Sequence, residues 1–100
     1  MRTFEVNCIA RSVPAGGHEH VTHIGHTHHD WCLTREAAVK RIEAGFEAFY
    51  TLDPATSDRV YLAVVHEPGQ PSHLRTRHGG AWTDHLLALA PCGLTEHLIA

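Results

Sequence analysis

The chain has 100 residues, enough for one domain with a single modest core. Hydrophobic residues make up 43% and the formal charge is −3 with histidines neutral, which argues against a disordered chain and against a basic nucleic-acid-binding face. Eleven histidines would carry the charge from −3 to +8 on full protonation, so the surface charge reverses sign in mild acid.

Thr3–Arg11 alternates as a strand should, with Phe4, Val6, Cys8 and Ala10 on one face, Thr3, Glu5 and Asn7 on the other, and Ile9 as the exception. Pro14-Ala15-Gly16-Gly17 is a turn by composition, and His20–Ile24 reads as a hairpin partner strand. Gly25–Asp30 reads as loop. Thr34 then caps a helix, with Glu36 near its positive end and Leu33 placed to staple onto Ala38. Ala38, Val39 and Ile42 form its core stripe, Lys40 and Arg41 suit its last turns, and Gly45 ends it in a left-handed cap.

Glu47–Leu52 is the next strand and 53–58 a turn. Arg59–His66 is the most apolar strand and is expected at the centre of the sheet. A turn at 68–71 leads to a short strand, His73–Arg77, and His78-Gly79-Gly80 turns again. Leu86, Leu87 and Leu89 are placed to pin the C-terminal segment onto the core, and Pro91 ends that segment. The order β-β-α-β-β-β predicts a single α+β domain over residues 1–100, with one helix on a mostly antiparallel sheet.

The cysteines Cys8, Cys32 and Cys92 are odd in number and lack a C-x-x-C pair, which predicts reduced, mostly buried thiols. No run of signal-peptide length or of eighteen apolar residues is present, so the expected setting is the cytoplasm, with no membrane partner.

Six histidines crowd into twelve residues: His18, His20, His23, His26, His28 and His29. Three readings are open: a transition-metal site, a pH-sensitive surface, or imidazoles that only cap turns. On a strand His18 and His20 would share a face, because side chains alternate with period two. With His23, and with His26 and His28 as auxiliary ligands, they form the candidate set for zinc or another divalent transition metal. The segment His26-Thr27-His28-His29-Asp30-Trp31 resembles the H-x-H-x-D-H signature of the metallo-β-lactamase superfamily at His26, His28 and Asp30. Trp31 stands where that signature needs its last histidine, and the chain is too short for the superfamily's fold. A metal-dependent hydrolase through these residues is thus the weakest reading.

His66, His73, His78, His85 and His97 are scattered, with His66 and His73 flanking one turn. Arg75, Arg77 and Trp82 are close enough in sequence to hold an anion or stack on a base, though alternate strand positions more often make a solvated face. No acid/base couple, nucleophile motif or phosphate loop is evident, so no catalytic residue is assigned.

Val6-Asn7-Cys8, the segment His18–Gly25, Trp31, the helix Leu33–Gly45, Phe49-Tyr50, Leu74-Arg75-Thr76, Trp82–Leu89 and Cys92 together resemble a small uncharacterised bacterial family, domain-of-unknown-function family 3892. The resemblance covers nearly the whole chain and implies a standalone domain of about a hundred residues with no assigned activity. Its H-E-H-x-T-H-x-G portion includes His18, His20 and His23, whereas His26, His28 and His29 are particular to this chain. Two functions are expected from these observations. One is a non-catalytic binding module with a histidine-based metal site. The other is a protein-interaction or homodimer module with pH-sensitive histidines, anchored by strand edges and by Trp31, Tyr50 and Trp82. No nucleic-acid partner is expected.

Overall fold

A computed structural model describes residues 1–13 and 16–92. The fold is α+β, with one helix and two mostly antiparallel sheets. Its strands are β1 (Arg2–Glu5), β2 (Cys8–Arg11), β3 (Val21–His26), β4 (Trp31–Thr34), β5 (Glu47–Leu52), β6 (Arg59–Val65), β7 (His73–His78), β8 (Ala81–Thr83) and β9 (Ala90–Pro91), and the helix α1 spans Arg35–Glu43. One sheet has the order β1-β5-β6-β7-β8 and the other β4-β3-β2-β9. β6 is central in the five-stranded sheet, as its apolar sequence predicts.

The single expected sheet is divided because the first strand breaks at Val6-Asn7. The Val6 N–H donates to the Tyr50 carbonyl (2.7 Å), whereas the next N–H, that of Asn7, donates to the Gly25 carbonyl (2.9 Å). The chain thereby leaves β5 and joins β3. The phase of burial changes at the same point, with Val6 and Ile9 both in the core although three residues apart. Strict alternation forbids that on one strand. The misfit of Ile9 in the sequence pattern marks the break.

The inner face of the five-stranded sheet presents Phe49, Val60, Leu62, Leu74 and Thr76. Ile9, Ile24 and Leu33 form one register row across the other sheet and bury against it. α1 packs against strands of both sheets and closes part of the space between them. Thr34 is its N-cap, with Oγ1 accepting from the Ala37 N–H at 3.1 Å. Gly45, at φ +83°, donates its N–H to the Ile42 carbonyl and ends the helix. The segment expected as a loop before the helix is instead continued β3, a turn at 27–30 and the strand β4, which pairs Gly25 with Cys32 and His26 with Trp31.

The cysteine expectation is corrected. Cys8 and Cys92 form a disulfide, with Cα atoms 4.7 Å apart and a sequence separation of 84. β9 runs parallel to β2, pairing Ala90 with Cys8 and Pro91 with Ile9, and this brings Cys92 alongside. Cys32 is buried, as expected. It shares a register row with Cys8 but lies beyond Gly25, two strand spacings away. That is roughly 10 Å, too far for a disulfide to Cys8 without backbone movement. No helix among the described residues is long and apolar enough to cross a membrane.

Candidate functional site

His18–His20 is a 3-10 turn rather than a strand, with the His20 N–H closing onto the Gly17 carbonyl at 3.0 Å. Period-two geometry therefore fails there, and the expected same-face pair does not form. His18 is buried beside β7 and Asp84, with Nε2 3.6 Å from Asp84 Oδ1. His20 is half-exposed between Ser12 Oγ and Glu19. His23 lies in β3, opposite Ala10 and Thr34, with Nδ1 2.9 Å from Thr22 Oγ1.

His26 is buried at the end of β3. Its Nδ1 accepts from the backbone N–H groups of His28 and His29, both at 3.2 Å. That fixes the neutral tautomer, since an accepting Nδ1 leaves the proton on Nε2, which faces Glu5 Oε2 at 3.7 Å. The His29 ring stacks on His26 at 4.2 Å between centroids, and His28 lies at 5.7 Å. Asn7 holds this turn from the neighbouring strand end, accepting from the Thr27 N–H and donating to Thr27 Oγ1. Asp30 occupies the turn at φ +57°. Among the described residues, no three His, Cys, Asp or Glu side chains form a group able to hold a metal ion. His97 lies outside the described residues.

Six histidines each lie near one carboxylate: His18 with Asp84, His20 with Glu19, His26 with Glu5, His66 with Glu43, His73 with Glu67 and His85 with Asp53. Burial lowers the pKa of His18 and the Arg75 guanidinium lowers it further, against the pull of Asp84. Burial likewise lowers that of His26, assisted by His29 and opposed by Glu5. The His85 pair is the best formed, with Nε2 2.8 Å from Asp53 Oδ2 and Nδ1 2.7 Å from Thr83 Oγ1. Asp53 is held at about 2 by His85 and by the backbone N–H groups of Ala55 and Thr56. The Thr83 hydroxyl lies 2.6 Å from that of Thr76, which is fully buried. This chain of groups clamps the β5–β6 turn to the end of β8. Thirty-two residues separate Asp53 from His85, so only the fold makes the pair visible.

Two further features were absent from the sequence reading. First, Glu5, Tyr50, Tyr61, Arg77 and Trp82 form one register row across all five strands of the larger sheet. Arg59 lies over the Tyr50 ring at 4.3 Å and Arg77 over Trp82 at 5.2 Å, and Tyr61 and Trp82 are exposed. Of the aromatics named as candidate anchors, Tyr50 and Trp82 thus share one row, with Tyr61 and Arg77 between them, and Trp31 lies outside it. Second, Trp31 lines a cavity of about 210 Å³ with Phe4, Leu33, Phe49 and Arg41. The inward positions of Phe4 and Phe49 on their strands were its only sequence signal. No family model, curated protein or solved structure matches the chain.

Proposed function

We propose that the protein is a non-catalytic interaction module that pairs with a second copy of itself through the outer face of the five-stranded sheet. The observation that carries this reading is the row Glu5–Tyr50–Tyr61–Arg77–Trp82. Tyr, Trp and Arg are the residue types that most often supply binding energy at interfaces. The row is also self-complementary. A two-fold axis along the strands, between Tyr50 and Tyr61, sets Glu5 of one copy opposite Arg77 of the other and Tyr50 opposite Tyr61. Light scattering after size exclusion, at about pH 7.5, is expected to give a dimer. Glu5→Arg and Arg77→Glu should each weaken it, and the double swap should restore it. A monomer at every concentration reached, or swaps without effect, refutes the reading. Membership of the small bacterial family suggested by the sequence belongs to the same proposal.

A second reading is a metal site at His26, His28 and His29, shifted from the set of His18, His20 and His23 with His26 and His28 that the sequence suggested, and it is supported by the proximity of these three rings. His26 would offer only Nε2, and the rings of His28 and His29 would have to rotate to converge on it. Zinc added to untagged protein should then raise the melting temperature, and His28→Ala should abolish the rise. The Cys8–Cys92 pair supports an oxidising compartment as part of this proposal. A bond between them persists where conditions are oxidising, which weighs against the cytoplasmic setting expected from sequence.

A further inference from the structure

We propose that the cavity between the two sheets is a binding site for a small aromatic monocarboxylic acid. Its walls are Phe4 from β1, Phe49 from β5, and Trp31 and Leu33 from β4. The three rings pack on one another as a cluster that forms one wall of the cavity, with centroids 5.6 Å apart for Phe4 and Phe49, 5.9 Å for Trp31 and Phe49, and 6.2 Å for Phe4 and Trp31. Such a lining favours a flat apolar body, held by stacked and edge-on contacts.

The volume, about 210 Å³, limits the guest. Pockets for drug-sized ligands run from roughly 300 Å³ upward, whereas a cavity of about 150 Å³ already accepts benzene. One six-membered ring with a short substituent therefore fits, and a nucleoside or a long acyl chain does not.

The one charged residue among the described lining residues fixes the charge of that substituent. Arg41, from the last turns of α1, borders this otherwise apolar cavity. Its Nη1 donates to Glu47 Oε1 at 3.2 Å, and Arg2 Nη1 lies 3.8 Å from Oε2 of the same carboxylate. Two guanidiniums thus share one carboxylate, leaving a surplus positive charge at the site although the chain as a whole is negative. A guanidinium has five N–H donors, and the fork not engaged by Glu47 matches a second carboxylate. A second hollow of about 240 Å³ is lined by Arg41, Ala44, Phe46 and Glu47, so Arg41 borders both spaces.

The test is an NMR titration of the full chain with phenylacetate and, separately, with its neutral isostere phenylacetamide. Phenylacetate is expected to shift the Trp31 indole N–H and the amides of Phe4, Leu33 and Phe49 in a saturable way. The amide should bind roughly tenfold more weakly, the loss expected for one charge-assisted hydrogen bond. Arg41→Gln, on a half-exposed helix position, should erase that difference while leaving the rest of the spectrum in place. No saturable shift at these residues overturns the proposal. So does equal affinity for acid and amide in the unaltered protein, a comparison that needs no variant to fold. This site is on the inner side of the sheet, so its fate is independent of the dimer proposed above.

Discussion

Removing the Cys8–Cys92 bond should be the most damaging single change that leaves the core intact. In the chain-entropy description a cross-link stabilises by restricting the unfolded chain, and the effect grows with the loop closed. For a separation of 84 residues it amounts to about 4.5 kcal/mol at 25 °C. Unfolding a domain of this length changes the entropy by about 0.2 kcal/mol/K, so the melting temperature should fall by roughly 20 °C. Residual structure in the reduced chain would make the drop smaller. Cys92→Ser is the better variant, because Cys92 is less buried than Cys8 and a hydroxyl there needs no interior partner. Calorimetric melts with and without reductant are the assay, with peptide mapping under non-reducing conditions to identify the bond. Reductant should lower the melting temperature of the parent protein to that of Cys92→Ser and leave the variant unchanged. A linked Cys8–Cys92 peptide absent from air-oxidised protein, or a melting temperature indifferent to reductant, would refute the reasoning.

Two other outcomes follow. Gly25→Ala should cost about 1–3 kcal/mol or more, because a Cβ there would lie 2.5 Å from the Trp31 carbonyl oxygen and 3.3 Å from Cys8 Sγ; a urea midpoint equal to the parent's would contradict this. Acid should destabilise the fold in two stages. His18 has a lowered pKa when folded, so its contribution is full above the ordinary histidine value and is lost as the pH falls through the folded one. Asp53 is held at about 2, so its contribution is present above the ordinary aspartate range and is lost as the pH falls toward 2. Urea midpoints across pH in the parent, His18→Gln and Asp53→Asn should show each stage shrink with its own residue, His26 keeping part of the first and Glu36 part of the second.

Much of the local structure was legible in the sequence. The helix was, from the Thr34 cap to Gly45, because caps and the 3.6-residue stripe act within a few residues of each other. The strands β5, β6 and β7 and their turns were legible for the same reason. The division of the first strand was half legible: Ile9 violated the alternation, but nothing local said that the chain changes sheets there. The same-face geometry expected of His18 and His20 was not legible. Same-face geometry holds only on a strand, and the backbone there closes into a 3-10 turn after Gly17.

What the sequence alone determined is the α+β class, the caps, the turn positions and the alternation that buries Phe49, Val60 and Leu62. Each depends on residues a few places apart. Tertiary structure decided the rest. It paired Cys8 with Cys92 and Asp53 with His85, aligned Tyr50, Tyr61, Arg77 and Trp82 in one row, and set Arg41 at the border of a cavity with three aromatic rings. Those relations join residues far apart in the chain, and only strand register and the packing of the helix between two sheets fix which of them meet.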